Sequence, residues 1–111
     1  MSGAIVGLAM LALSQQQAPW TAADVLEMRA TASPFAQCVL DKEVGGYGHD
    51  PYRNGAQGER GPFQLHPQGK LLSFYAAGYT DPHSPWEALH FFEWQISIGE
   101  AKAWPTVRLC Q

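Results

Sequence analysis

The chain has 111 residues, of which 46% are apolar, 12% aromatic and 15% charged. This composition predicts one small folded domain, because disordered chains combine low hydrophobicity with high net charge. Ten Asp and Glu against seven Lys and Arg give a formal net charge of −3, so the chain has no basic excess to neutralise phosphates. We therefore expect no nucleic-acid partner.

The first part of the chain differs from the rest. Residues 3–13 are all apolar or Gly, and a polar run follows them. Roughly eleven apolar residues are too few to cross a bilayer as a helix, but they match the core of a secretory signal. We therefore expect no stable membrane insertion and divide the chain into a signal-like segment, residues 1–20, and a domain, residues 21–111. No Lys or Arg precedes the apolar run, so we expect either weakly driven export or a true start further upstream. The alternative to a signal is an N-terminal helix packed on the domain.

The first two helices of the domain are predicted from their caps. Thr21 and Asp24 have the spacing of a capping box, which predicts a helix that runs to about Thr31. Ser33 can cap a second helix over residues 34–44, which starts with a proline at a position where the missing N–H costs nothing.

The rest of the domain is predicted to contain a long loop, a short extended segment and two more helices. The loop covers residues 45–61 and is rich in Gly, and loops of this length are usually functional. Residues 62–66 form the extended segment, and a helix follows from about Lys70 to Ala77. Ser84 can cap a last helix over residues 85–102. Its predicted buried stripe is Trp86, Leu89, Phe92 and Ile96, with Phe91, Gln95 and Ile98 adjoining it. The pattern predicts a mainly α fold, with at most a short extended segment or a small hairpin.

The two cysteines lie far apart in the sequence. Cys38 is on the second predicted helix and Cys110 is next to the last residue. A bond between them would stabilise the domain by about 4 kcal/mol in the chain-entropy treatment and would indicate an oxidising compartment. Two buried free thiols are the alternative.

One acidic residue is a candidate for catalysis. Glu43 ends the second predicted helix, beside the apolar Val39 and Leu40 and just before the Gly-rich loop. Apolar surroundings let a carboxyl hold its proton to higher pH, which a general acid at a glycosidic oxygen requires. The alternative is an ordinary solvated Glu at the end of a helix.

Several short motifs occur together in a specific order between Phe35 and Cys110. They are Cys38–Glu43, Gly61–Gln64, Asp81–Pro82, Ser84–Glu87, Ala103–Pro105 and Cys110. In this order the chain resembles the transglycosylase-like domains of the lysozyme-like superfamily, which includes resuscitation-promoting factors and soluble lytic transglycosylases. The resemblance implies a small lysozyme-like helical domain with a cleft, in which the two cysteines form a disulfide.

The resemblance also implies a reaction. It is the cleavage of the β-1,4 bond between N-acetylmuramic acid and N-acetylglucosamine in peptidoglycan, with Glu43 as general acid and then as base. A hydrolase needs a second carboxylate, for which Asp41, Asp50 and Glu59 are the candidates. Without one, the 6-hydroxyl of the muramic acid attacks, as in a lytic transglycosylase.

Five residues are candidates for substrate binding. The resemblance assigns sugar binding or orientation of the acid to Gln64. Tyr47 and Tyr52 on the loop, and Phe63 beside Gln64, have flat rings that could stack on sugar faces. Glu59 lies on the same loop and would face the cleft.

The expected partner is a peptidoglycan glycan strand, bound by a monomer that is secreted or resides in the cell envelope. The acidic net charge also fits a phage-associated protein, since antibacterial lysozymes gain encounter rate from positive charge. The four His lack the spacing of metal ligands, so we predict neither a metal nor a cofactor.

Two other functions remain open. Val44 stands where the resembled family commonly has Ser or Thr, and Glu59–Arg60 replace small residues. These departures are compatible with a module that binds peptidoglycan but does not cleave it. The other alternative is a thiol hydrolase in which Cys38 is the nucleophile and His49 or His66 is the base.

Overall fold

A computed structural model describes residues 19–44 and 49–111 of the chain. Within these ranges the chain forms four α-helices, α1 (Ala22–Thr31), α2 (Pro34–Val44), α3 (Lys70–Ala76) and α4 (Pro85–Ser97). Two 3₁₀ helices follow, Ala101–Ala103 and Pro105–Cys110. The predicted mainly α class is confirmed. Tyr47 and residues 1–18 of the signal-like segment lie outside the described residues. None of the described helices is both long and apolar enough to cross a membrane.

The predicted starts of α1 and α2 are confirmed by their caps. The Thr21 hydroxyl accepts the Asp24 backbone N–H at 3.3 Å, and the Asp24 carboxylate accepts the Thr21 N–H at 2.8 Å. The Ser33 hydroxyl accepts the Ala36 N–H at 3.1 Å and donates to Glu93 of α4 at 3.0 Å. The second cap therefore also ties the beginning of α2 to α4.

Helix α4 is shorter than predicted, because it ends at Ser97 rather than at about residue 102. Gly99 adopts a left-handed conformation with φ of +79° and donates its N–H to the Ile96 carbonyl at 3.1 Å. The Glu100 N–H donates to the Gln95 carbonyl at 2.8 Å. These two bonds form a Schellman motif, which satisfies the last carbonyls of the helix and turns the chain away.

The buried face of α4 is displaced from the predicted stripe toward the adjoining positions of Phe91 and Gln95. Phe92 is fully buried as predicted, but Trp86 is 37% exposed, and Leu89 and Ile96 are only partly buried. Its most buried side chains, apart from the first proline, are Ala88, Phe91, Phe92 and Gln95. Phe91 and Phe92 are adjacent, so they point about 100° apart on a helix. Both can be buried because other elements cover α4 on two sides.

The aromatic core connects α4 to the loop that follows α2. The Phe92 ring stacks on Phe63, with centroids 4.5 Å apart, and meets the edge of Trp104 at 4.9 Å. On the other side, Phe91 meets the ring of Phe74 in α3 at 5.3 Å. The Trp104 indole N–H donates to the Phe63 carbonyl at 3.0 Å. Trp104, which precedes the second 3₁₀ helix, is therefore held against both α4 and the loop.

The segment predicted to be extended, residues 62–66, is largely a tight turn, and this prediction was wrong. Arg60 and Leu65 exchange both backbone hydrogen bonds, at 3.1 and 3.0 Å, and the chain between them reverses direction. Gly61 has a φ of +79°, and a Cβ there would lie 2.0 Å from the Pro82 carbonyl oxygen. A glycine is needed because of both the conformation and the close approach.

The disulfide between Cys38 and Cys110 is present, with Cα atoms 5.8 Å apart and a sequence separation of 72 residues. It joins α2 to the second 3₁₀ helix, which packs along α2 and buries Val107. The disulfide thus holds the C-terminal residues beside the helix that contains Glu43.

Candidate active site

A cavity of about 470 Å³ opens between the end of α2, the turn-rich loop, the start of α3 and the second 3₁₀ helix. Its volume is within the range of small-molecule sites. Among the predicted site residues, the structure brings Glu43, Glu59 and Gln64 together here. Its lining also includes His66, Lys70 and Thr106.

Glu43 lies half-buried on the cavity wall, in the last turn of α2. Its Oε2 accepts a hydrogen bond from the Thr106 hydroxyl at 2.6 Å. Burial raises the pKa of Glu43 above its ordinary value, the Thr106 bond partly offsets this, and the negative charge of Glu59 raises the pKa further. The net effect is a carboxyl that keeps its proton to higher pH than a solvated Glu.

Thr106 was not predicted from the sequence, where a hydroxyl near the acid was expected only at the residue after Glu43. The hydroxyl comes instead from the second 3₁₀ helix, one turn before Cys110. The cysteine pairing was the available signal, since it implies that residues just before Cys110 lie along α2. The Glu43 carboxyl therefore has a hydroxyl partner, although the residue that follows it is Val44.

Gln64 lies in the left-handed region, with φ of 51°, at the end of the turn that replaces the predicted extended segment. Its Nε2 donates to the carbonyls of Gly61 at 2.8 Å and Arg53 at 3.2 Å. A Cβ on Gly55 would lie 2.6 Å from Gln64 Oε1 and 2.4 Å from Glu59 Oε1. Gly55 therefore provides the space in which the two polar side chains come together.

Glu59 stands on the loop side of the cavity, and its Oε1 accepts the Gln57 backbone N–H at 2.8 Å. Hydrogen bonds from its own backbone and from Gln57 lower the pKa of Glu59, burial partly opposes them, and the electrostatic interaction with His66 lowers the pKa further. The two cavity carboxyls thus have pKa values displaced in opposite directions.

His66 and Lys70 add an imidazole and an ammonium group to the cavity wall. The His66 Nδ1 accepts the Gln68 N–H at 3.1 Å, and its Nε2 lies 3.3 Å from Gln57 Oε1. The Lys70 ammonium donates to the Gln95 side chain and lies 5.6 Å from the centre of the Trp104 ring. Lys70 had no predicted functional role, because its position depends on the packing of α3 against α4.

The two described aromatic residues that were predicted to bind sugar lie elsewhere. The Tyr52 hydroxyl accepts the Trp20 backbone N–H at 3.1 Å, and its ring stacks on His83 at 5.0 Å. Phe63 is fully buried and packs on Phe92. Neither residue lines the cavity in the described part of the chain.

The three residues considered as a second carboxylate lie in different parts of the structure. Asp41 is exposed and forms an ion pair with Arg29. Asp50 is exposed and accepts the Tyr52 backbone N–H at 2.9 Å, so it stabilises a local turn. Only Glu59, of these three residues, lines the cavity.

The disulfide excludes the thiol hydrolase in which Cys38 is the nucleophile, because an oxidised sulfur has no thiolate to attack with. Within residues 19–44 and 49–111, no three His, Cys, Asp or Glu side chains are grouped as a metal ion would require.

A scan against protein-family models, a search of curated proteins and a search of solved structures each found no match for this chain. The resemblance to transglycosylase-like domains therefore depends on the short motifs alone.

Proposed function

We propose that this protein cleaves peptidoglycan glycan strands at the β-1,4 bond between N-acetylmuramic acid and N-acetylglucosamine, with Glu43 as the general acid. The observation that supports it most directly is the half-buried Glu43 carboxyl on a cavity wall, with its pKa raised and one oxygen held by Thr106. A lysozyme-like fold and a monomeric state belong to the same proposal.

In the proposed reaction, Glu43 gives its proton to the glycosidic oxygen as the bond from that oxygen to the anomeric carbon breaks. Protonation makes the departing sugar a neutral alcohol, which lowers the barrier to its departure. Glu43 is then ionised, and the Thr106 hydroxyl favours this form by donating to it. The anomeric carbon forms a new bond with the oxygen of an incoming hydroxyl, either of water or of C6 of the muramic acid. This hydroxyl loses its proton, and Glu43 recovers one, so that the acid is restored for another cycle.

The other lining residues suit a sugar polymer. Gln57, Gln64 and His66 carry amide and imidazole groups that can bond to sugar hydroxyls and N-acetyl groups. Trp104 gives the same wall an apolar part. Mixed polar and aromatic surfaces of this kind suit sugars, which have both hydroxyl edges and apolar faces.

The proposed location is outside the cytoplasm, secreted or in the cell envelope. Disulfides form and persist in oxidising compartments, and the Cys38–Cys110 bond fits such a location. Peptidoglycan is found there as well.

The test is digestion of purified peptidoglycan sacculi, followed by mass spectrometry of the soluble muropeptides. We expect the wild-type protein to release muropeptides and the Glu43→Gln variant to release at least about 100-fold less, because the amide cannot donate a proton as an acid does. Glu27→Gln makes the same chemical change on the exposed face of α1 and should match the wild type.

Equal release by the wild type and Glu43→Gln would contradict the proposal. If neither protein released muropeptides but both sedimented with sacculi, the peptidoglycan-binding module would replace the enzyme.

A further inference from the structure

We propose that Glu59 is the second carboxylate of the reaction and takes a proton from an attacking water, so that the protein hydrolyses the glycan. The inference rests on the proposed function and specifies which product the cleavage yields. It predicts hydrolysed reducing ends on the cleaved strands instead of anhydromuramic ends.

The first support is the position of Glu59 relative to Glu43. Both side chains line the same cavity but come from different elements, Glu43 from the end of α2 and Glu59 from the loop. A glycosidic bond placed in this cavity would therefore have two carboxyl groups available to it. Glycosidases that consume water use two carboxyl groups that flank the scissile bond.

The second support is the way the loop holds Glu59. Arg60, the next residue, is bridged to both Asn54 and Leu65, and the Gly55 N–H donates to the Glu59 carbonyl at 2.9 Å. The side-chain oxygen is fixed by the Gln57 N–H and fits over Gly55, where a Cβ would collide with it at 2.4 Å. The carboxylate is therefore oriented by backbone groups of its own loop.

The third support is that the pKa values of the two carboxyls, which line the same cavity, are displaced in opposite directions. Burial raises the pKa of Glu43, whereas backbone hydrogen bonds lower the pKa of Glu59. Among the residues that the structure describes, the other charged or titratable groups on the cavity wall are His66 and Lys70. Two carboxyls whose environments push their pKa values apart are suited to act as acid and base in one reaction.

The proposed step consumes one water molecule. The water oxygen forms a bond with the anomeric carbon, and one of its protons passes to the Glu59 carboxylate. The bond from that carbon to the glycosidic oxygen breaks, and this oxygen takes the proton of Glu43. Glu59 then releases its proton to solvent and Glu43 gains one, so that both groups return to their initial states.

The product of the wild-type protein gives the first test. Sacculi are digested, half of each sample is reduced with borohydride, and the muropeptides are weighed by mass spectrometry. We expect ends with the full mass of a reducing sugar, which gain two hydrogens on reduction. Anhydromuramic ends, one water lighter and inert to borohydride, would overturn the role of Glu59 and leave the proposed cleavage intact. Absence of any release would overturn both.

The Glu59→Gln variant gives the second test, since a glutamine can still accept the Gln57 N–H. Hydrolysed ends should decrease at least about 100-fold, whereas Glu27→Gln should keep the wild-type rate. In the wild type the rate should fall on the acidic side as Glu59 becomes protonated. The residual rate of Glu59→Gln should lack this acidic limb and keep the basic limb of Glu43. An unchanged rate or an unchanged acidic limb would overturn the proposal.

Discussion

At the scale of single residues, the acidity of Glu43 depends on a hydrogen bond from a residue that is distant in the sequence. Thr106 donates to Glu43 at 2.6 Å, although 63 residues separate them in sequence. The bond favours the ionised carboxylate, while burial favours the protonated acid. The balance between these two effects sets the pH at which Glu43 can act as an acid.

The first prediction concerns the Thr106→Val variant, which lacks this hydrogen bond. Thr106→Val keeps the shape of the side chain but not the hydroxyl, so the pKa of Glu43 should rise further. The basic limb of the pH profile of muropeptide release should move to higher pH, because the acid stays protonated longer. Thr106→Ser retains the hydroxyl and should keep the wild-type profile. A Thr106→Val profile that coincides with the wild type would show that this bond has no effect on the acid.

Part of the site was predictable at this scale and part was not. Glu43 was predicted from its apolar neighbours and the family resemblance, Gln64 from the resemblance, and Glu59 from its place on the loop that would face the cleft. Tyr52 and Phe63 were predicted to face sugar, but one is held by Trp20 and the other is in the core. An aromatic residue suits both a core and a sugar site, so its sequence position does not distinguish them.

At the scale of elements, the helix starts were easier to predict than the ends and the turns. The caps at Thr21, Ser33 and Ser84 are local patterns of a few residues, and all three are present. The end of α4 depends on the left-handed conformation of Gly99, and the turn at Gly61 depends on contact with the distant Pro82. The conformation of a glycine and a long-range contact are not visible in a local pattern.

The second prediction compares these two glycines, which share a φ of +79°. Gly99→Ala meets no atom within 4 Å, so it should cost only the backbone strain, about 1 kcal/mol of unfolding free energy. Gly61→Ala places a Cβ 2.0 Å from a backbone oxygen and should cost clearly more. Denaturant unfolding of both variants gives the two values, and equal losses would mean that the approach to Pro82 is not restrictive.

At the scale of the whole molecule, the disulfide and the aromatic core hold in place the elements that line the cavity. The bond between Cys38 and Cys110 closes most of the domain and contributes about 4 kcal/mol in the chain-entropy treatment. It also keeps the second 3₁₀ helix beside α2, while Trp104 is anchored to the Phe63 carbonyl. The side chain that holds Glu43 therefore comes from a segment that is fixed at both ends.

The central claim is that Glu43 can act as a general acid because its position in the cavity raises its pKa. The most direct measurement is a carbon NMR titration of the side-chain carboxyls in the wild-type protein, with Glu43→Gln and Glu59→Gln used to assign the two signals. We expect Glu43 to titrate above the ordinary pKa of a glutamate and Glu59 below it. A Glu43 signal that titrates at or below the ordinary value would contradict the account.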